Sequence, residues 1–337
     1  MKKYLAFVLT FVMIFSIALS AQSAFERAKA DVLKELGGAE KTSKVYKIGA
    51  LEITLANPFW VTMKEGFEAA AKDFGFKIDV VAAPSEGDTA AQLNYLETML
   101  IKGYDALCIS PITPFNLIPA VAKATQRKIP VIAVGTYVDP QAAKDAGAKI
   151  NGILAVDFEY QGKLPGQYII EKFKNTKNVK AAIIEGIPGS PQSEGRKNGC
   201  LNELKKASNI KVVSVQPGNW DRTTALNVTS NLIQANPDLN VIFCANDTMA
   251  LAAVEALKAV GKKKQVMVIG CDFIEEAKES IIKGELDATL AMSPYLYGYI
   301  GGVMAYKTII DGQYSKDIQV PIKIVDKSNL SEYNDWR

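Results

Sequence analysis

Several short polar runs in this chain combine flat aromatic rings with amides and carboxylates: Asn57-Pro58-Phe59-Trp60, Gly135-Thr136-Tyr137, residues 185–194, Asn219-Trp220-Asp221-Arg222, Ala245-Asn246-Asp247-Thr248 and Cys271-Asp272-Phe273. Trp and Phe offer faces that stack on the C–H face of a sugar ring, while Asn and Asp supply the donors and acceptors that rim hydroxyls require. The residue types therefore suit a carbohydrate. Core packing is the alternative for Phe59, which could share a helix face with Phe67 and Phe74. Tryptophans in polar loops read instead as ligand platforms. Asn57, Asp221 and Asp247 also stand where helix N-caps are expected, and for Asp247 capping is the preferred reading.

The 337-residue chain contains no histidine. Ser-His-Asp and Cys-His nucleophile systems, HExxH zinc sites and histidine bases are all excluded. Carboxylate chemistry survives: Glu194 and Asp272 could serve as the acid and base of a glycosidase if they stood about 5 to 9.5 Å apart. No GxxxxGK[ST] occurs and no GxGxxG follows a strand, which argues against a nucleotide site. A formal net charge of +3 leaves no electrostatic footprint for nucleic acid. Cys108, Cys200, Cys244 and Cys271 form no CxxC pair and read as buried free thiols. No metal or cofactor is called for.

The elements that must position these runs are legible from periodicity. Lys2 and Lys3, an apolar run from Leu5 to Leu19 and small residues up to Ser23 read as a cleaved signal peptide over 1–23, since a membrane anchor needs about 20 apolar residues. Removing those two lysines leaves 37 basic against 36 acidic residues. A leader helix and linker follow over 24–44, carried by Phe25, Ala28, Val32, Leu33 and Leu36. Short β-branched runs then alternate with amphipathic segments to the end of the chain. Strands are expected at 46–51, 78–82, 106–110 and 131–134, with helices at 58–74, 88–102 and 114–127. A second run places strands at 152–156, 180–184, 212–216, 241–245 and 266–270, then strand 288–291, helix 295–310 and a last strand 320–325. The length exceeds one compact core, so the fold class is α/β with two doubly wound parallel-sheet lobes. The polar runs all fall just after strands, where open parallel sheets hold ligands.

At these residues the chain resembles the type I periplasmic sugar-binding proteins of ABC transporters, in particular the ribose- and allose-binding group. The resemblance spans Val45 to Val325 and rests on Asn57-Pro58-Phe59-Trp60, Pro84-Ser85-Glu86-Gly87-Asp88, Ile184-Glu185-Gly186, Trp220-Asp221-Arg222 and Ala245-Asn246-Asp247-Thr248-Met249-Ala250. Trp60, the Ser-Glu-Gly-Asp run and Trp220 make the allose-binding proteins the nearest match. The resemblance implies that Phe59, Trp60 and Trp220 sandwich a sugar ring while Asn57, Glu194, Asn246 and Asp272 bond its hydroxyls. Thr136, Tyr137 and Met292 are further candidates. It also implies a three-segment hinge, with lobes of 45–156 plus 293–321 and 157–292 plus 322–337.

Departures from the family pattern matter. Ile53 replaces a polar residue, Gly135 and Thr136 replace an acid and its charged neighbour, and Met292 replaces a glutamine. An unpaired hydroxyl in a closed cleft costs roughly 1 to 3 kcal/mol, so a deoxy sugar, pentose or polyol is expected in place of ribose or allose. Glu52, Tyr137 and Tyr297 are candidates to restore hydrogen-bond partners. Asp272 and Asn246 are expected to be the dominant polar anchors, with the first lobe contributing mainly stacking. The expected protein is a monomeric, non-enzymatic periplasmic receptor that closes over a sugar or polyol and docks on an ABC permease. Rival readings are a sensing module for a chemotaxis or kinase receptor, and a glycosidase using Glu194 or Asp272. A sugar-responsive transcription regulator would begin with a helix-turn-helix where this chain shows a signal sequence.

Overall fold

The computed structural model describes residues 23–37, 39–155, 157–312 and 317–337. The expected signal peptide, apart from Ser23, lies outside the described residues, as does Val156 at the expected end of a strand. Ser23 caps the leader helix α1 (Ala24–Glu35) by accepting from the Glu26 N–H.

The first winding runs β1 (Lys47–Thr54), α2 (Pro58–Phe74), β2 (Lys77–Ala83), α3 (Thr89–Met99), β3 (Ala106–Ile109), α4 (Ile118–Gln126), β4 (Val131–Val134), α5 (Pro140–Asp145) and β5 (Gly152–Ala155). The second runs α6 (Phe158–Phe173), β6 (Val179–Glu185), α7 (Pro191–Leu204), β7 (Ile210–Pro217), α8 (Arg222–Ala235), β8 (Val241–Cys244), α9 (Asp247–Ala259), β9 (Met267–Asp272), α10 (Glu275–Ile282) and β10 (Ala288–Ala291). Then come α11 (Pro294–Asp311), β11 (Ile318–Gln319) and β12 (Lys323–Asp326). Helix α4 starts later than its apolar periodicity suggests, because the Asn116 side chain accepts from Thr113 N–H and holds a turn there.

The two sheets have orders β11-β5-β4-β3-β1-β2 and β12-β10-β9-β8-β6-β7, the same doubly wound pattern used twice. Among the described residues all ladders are parallel except β10 with β12. Strand 152–155 opens the second run in the sequence pattern, yet it pairs with β4 and belongs to the first sheet. The single last strand expected over 320–325 divides into β11 and β12, one on each sheet. Pro321 lies between them and lacks the N–H that a continuous ladder needs. The chain thus passes between the sheets after β5, at Met292–Ser293, and over 320–322.

Helix crossings bring the two halves of each lobe into contact through glycine. Where α2 crosses α11, a Cβ at Gly66 would lie 2.0 Å from the Tyr295 carbonyl oxygen, and one at Gly298 would lie 1.9 Å from that of Met63. Where α6 crosses α7, a Cβ at Gly162 would meet the Arg196 carbonyl oxygen at 2.0 Å, and one at Gly199 that of Glu159 at 2.0 Å. Backbone contact this close excludes any side chain at those positions. Helix α1 covers the far side of the hinge region: Phe25 packs edge-on against Tyr295 of α11 and against Trp336 of the C-terminal tail. All four cysteines are free and buried, as their apolar surroundings suggest. Burial pushes their thiols above the usual range.

Glu52 on β1 departs from expectation. Its neighbour Ile53 lines the cavity between the lobes and Glu52 does not, because successive strand residues face opposite ways. Glu52 is fully buried, and both carboxyl oxygens lack a hydrogen-bond partner among the described residues. Burial pushes its pKa up to about 9, against a smaller downward pull from Lys64 and a further push from Glu68, both on α2. Between the ordinary value of 4.5 and about 9 the native state holds a proton that the unfolded chain has lost. Wild-type stability should therefore fall as pH rises through that window, by about 1.4 kcal/mol per pH unit. The Glu52→Gln variant carries no such proton, so its advantage in unfolding free energy should widen steadily across the window. Denaturant melts of both proteins at several pH values check this, and a difference independent of pH would contradict it.

Candidate ligand-binding site

The carboxyl ends of the strands face one another across a cavity that is partly open to solvent. The first sheet brings to it Ile53 at the end of β1, Ile112 after β3 and Gly135 after β4. Its polar contribution is the pair Asn57 and Glu86. Asn57 N-caps α2, its Oδ1 accepting from Phe59 N–H at 3.1 Å, while its Nδ2 donates to Glu86 Oε1 at 2.9 Å. Burial raises the Glu86 pKa, and the nearby polar groups of Asn57 and Trp60 oppose the shift. Phe59 and Trp60 meet edge to face with ring centroids 5.0 Å apart, both in the lining.

The second lobe is organised around Arg196 on α7, a residue only 6% exposed. Its Nε donates to Gln161 Oε1 on α6 at 2.8 Å, and its Nη1 to the Ala245 carbonyl after β8 at 2.7 Å. Nη2 donates to Met292 Sδ after β10 at 3.7 Å. Nη1 also lies 3.3 Å from Asp272 Oδ1 at the end of β9, an ion-pair contact without hydrogen-bond alignment. The guanidinium carbon lies 5.9 Å from the centroid of a Trp220 ring. One side chain therefore touches the exits of four second-sheet strands, β7 through β10.

Two of those exits are strained. Asp272 has φ 126° and Phe273 φ 62°, and Asn219 and Trp220 have φ 55° and 63°. Such conformations cost roughly 1 to 3 kcal/mol each and need surrounding structure to hold them. Asp247 supplies that support at the first turn. It is fully buried, accepts from Ile274 N–H at 3.0 Å and from the Thr289 hydroxyl at 2.6 Å, and so clamps the chain beyond Asp272. Burial raises the Asp247 pKa to about 6, against the pull of those bonds. Burial likewise drives the Asp272 carboxyl well above its ordinary value, with Arg196 pulling it down and Asp247 and Glu86 pushing it up. At the second turn the Trp220 indole lies on Gly186, where a Cβ would stand 2.0 Å from the ring.

Of the residues singled out in the sequence, Asn57, Phe59, Trp60, Trp220, Asn246, Asp272 and Met292 converge on this cavity. Asn246, not Asp247, caps α9: its Oδ1 accepts from Met249 N–H at 2.9 Å, leaving Nδ2 buried without a partner among the described residues. Asp247 occupies the first helical position and turns inward to the clamp. Asp221 caps α8 through the Thr224 N–H, as expected.

Glu194 lies outside the lining. It shares α7 with Gln192 and Arg196, which face the cavity four residues apart, and the helical period carries Glu194 round to the other side. There it accepts from Gly189 N–H and pairs with Lys197 at 2.7 Å, and Lys197 holds its pKa below the ordinary range. A glycosidase pair of Glu194 with Asp272 is therefore not assembled across the cavity. Thr136 is buried outside the lining with its hydroxyl lacking a hydrogen-bond partner among the described residues, and Tyr137 is exposed and tilts against Phe158. Tyr297, expected to restore a polar partner, does line the cavity.

Sequence reasoning passed over Glu86, Gln161, Gln192 and Arg196 as individual candidates. Glu86 carried a usable signal, since it follows β2 inside a polar run. Gln161, Gln192 and Arg196 project from helices that no strand-exit rule reaches. Among the described residues no group of three His, Cys, Asp or Glu side chains is placed to hold a metal ion.

A family profile for the periplasmic binding protein domain matches residues 49–313. The D-allose-binding periplasmic protein of Escherichia coli is 38% identical over 262 residues, covering 78% of this chain and 83% of that protein. The ribose import binding protein of Haemophilus influenzae is 33% identical, covering 88% of this chain and 97% of that one. An ABC transporter periplasmic solute-binding protein from Actinobacillus succinogenes, solved with bound D-allose, superposes with a TM-score of 0.81 at 34% identity, covering 86% of this chain and all of that one.

Removing the guanidinium should damage the cavity more than removing any other polar group in it. Arg196→Met leaves Gln161, the Ala245 carbonyl and Asp272 without their partner, which should cost about 3 to 5 kcal/mol in unfolding free energy. Arg196→Lys keeps the charge but not the planar fork, so it should recover only part of that loss. Urea titrations of the two variants against wild type measure it, and a loss below about 1 kcal/mol for Arg196→Met would show the network to be dispensable.

Proposed function

The chain belongs to the periplasmic binding protein family, and from that premise we propose that it is the solute-binding component of an ABC importer, closing over a monosaccharide or related polyol. The observation that carries this reading is the make-up of the cavity. Aromatic faces from both lobes, Phe59 and Trp60 on one and Trp220 on the other, accompany buried polar atoms that have no hydrogen-bond partner among the described residues. Those atoms are Asn246 Nδ2, Gln192 Oε1 and Asp272 Oδ1, a donor and two acceptors. A sugar supplies both needs at once, apolar ring faces for stacking and rim hydroxyls that donate and accept.

In this reading the lobes comprise 45–156 with 293–321 and 157–292 with 322–337, and the strand crossings form the hinge. A ligand touching both lobes stabilises the closed arrangement over the open one, so binding and closure are one equilibrium. The closed form is what a membrane permease would recognise, and in this reading the mature protein works in the periplasm after removal of its signal peptide. Binding without turnover accords with relatives named as binding proteins.

The expectation that the first lobe contributes mainly stacking is revised by Glu86, whose carboxyl group is held in the lining by Asn57. Asn57 then acts mainly as a support, its amide already engaged with the helix end and with Glu86. Asp272 and Asn246 remain the principal anchors on the second lobe.

A thermal-shift screen over pentoses, hexoses, deoxy sugars and polyols identifies the ligand class, because a ligand that binds only the native state raises the melting temperature. With the best compound from that screen, Trp220→Ala and Asp272→Ala should each weaken binding tenfold or more in titration calorimetry while leaving cooperative unfolding intact. Asn57→Ala should cost less than Asp272→Ala. Unaltered affinity in both Trp220→Ala and Asp272→Ala would remove the proposed site.

A further inference from the structure

The first sheet presents an uneven wall to the ligand. In spatial order its strands run β4, β3, β1, β2, and their exits bring Gly135, Ile112, Ile53 and then Glu86 to the cavity. Its polar groups are Asn57 after β1 and Glu86 after β2, which bond each other. At β4 and β3, and at Ile53 of β1, the wall offers aliphatic side chains and a glycine. The hydroxyl of Thr136 is close in sequence but stands outside the lining. Met292 lines the cavity from the hinge, adding another apolar surface. The buried polar atoms of the lining that lack a hydrogen-bond partner among the described residues, Asn246 Nδ2, Gln192 Oε1 and Asp272 Oδ1, all belong to the second lobe.

We infer that the ligand turns its hydroxyls toward the second lobe and sets a methyl group against Ile53, Ile112 and Gly135, which makes a 6-deoxyhexose the class of sugar this cleft takes. The inference rests on the sugar reading above and narrows it. A hydroxymethyl group in that position would bury a hydroxyl against two isoleucines, which cannot replace its water. A methyl group gains by leaving water for the same contacts. A pentose lacks the substituent altogether and leaves the aliphatic wall without a packing partner. A linear polyol carries a hydroxyl on every carbon and must lose several torsional freedoms on binding, so it meets the same wall at a greater cost.

Matched pairs that differ only at C6 test this directly. D-Fucose against D-galactose, 6-deoxy-D-allose against D-allose and L-rhamnose against L-mannose are titrated calorimetrically into the whole protein. In the pair that binds most tightly, the 6-deoxy member should bind at least tenfold tighter, about 1.4 kcal/mol. Equal or tighter binding of the hydroxylated member, or tightest binding by a pentose or polyol, overturns the inference and leaves the sugar reading standing. A screen in which no sugar or polyol raises the melting temperature sinks the sugar reading itself. Ile112→Asn, which supplies a partner for a C6 hydroxyl, should bring the ratio below tenfold. An unchanged ratio in a cooperatively folded Ile112→Asn variant would show that this wall does not discriminate.

Discussion

A buried guanidinium is tolerable only when its hydrogens are taken up, and that requirement organises the second lobe. Arg196 reaches Gln161, the Ala245 carbonyl, Asp272 and Met292 from a single position on α7. Each partner lies on a separate element, so the geometry of one planar fork sets the spacing of several strand exits. A lysine in the same place could satisfy one or two of these groups and would leave the rest to close up or drift. The charge also matters to Asp272, whose burial alone would favour the neutral acid and which Arg196 draws back toward the carboxylate.

That arrangement depends in turn on how closely the helices approach. Gln161 can receive the Arg196 Nε only because α6 and α7 cross backbone to backbone at Gly162 and Gly199. The first lobe repeats the device at Gly66 and Gly298, where α2 meets α11. In both lobes a helix that follows a hinge crossing is thereby pressed against a helix whose N-terminal turn faces the cavity. The strained turns at Asn219–Trp220 and Asp272–Phe273 are held by the same surroundings: an indole lying on Gly186 in one case, the Asp247 clamp in the other. Strain of this kind fixes the directions of Trp220 and Asp272 before any ligand arrives.

The hinge is tied to the cavity through Met292. Its sulfur meets Arg196, while its backbone oxygen accepts from the Trp336 indole at 2.9 Å. Trp336 in turn packs on Phe25 of the leader helix and on Tyr333 of the tail. The N-terminal helix and the C-terminal residues thus close over one of the segments on which lobe movement would turn. A binding protein that works by closure has a use for such a fixture, since affinity for a ligand is set partly by how easily the empty lobes come together.

Much of this was legible in the residues taken in order. The alternation of apolar runs with amphipathic segments specified two doubly wound lobes, because parallel strands need crossover helices and leave a signature with two periods. Rings and amides at strand exits marked the cavity, since that is where a parallel sheet opens. Asn57, Trp60, Trp220, Asn246 and Asp272 were found this way. Glu194 was misplaced and Arg196 passed over for the same reason: both lie on α7, and a polar helix with no clear apolar face does not say which side will be buried. Likewise Asn246 and Asp247 are both good capping residues, and only the packing of Asp247 against Thr289 and Ile274 decides which one caps. Local pattern determined the elements and the ends of the strands, because those follow from backbone sterics and hydrophobic period. Which face of a helix meets which strand, and hence which charge is buried beside which, was decided by tertiary contact between residues far apart in the chain.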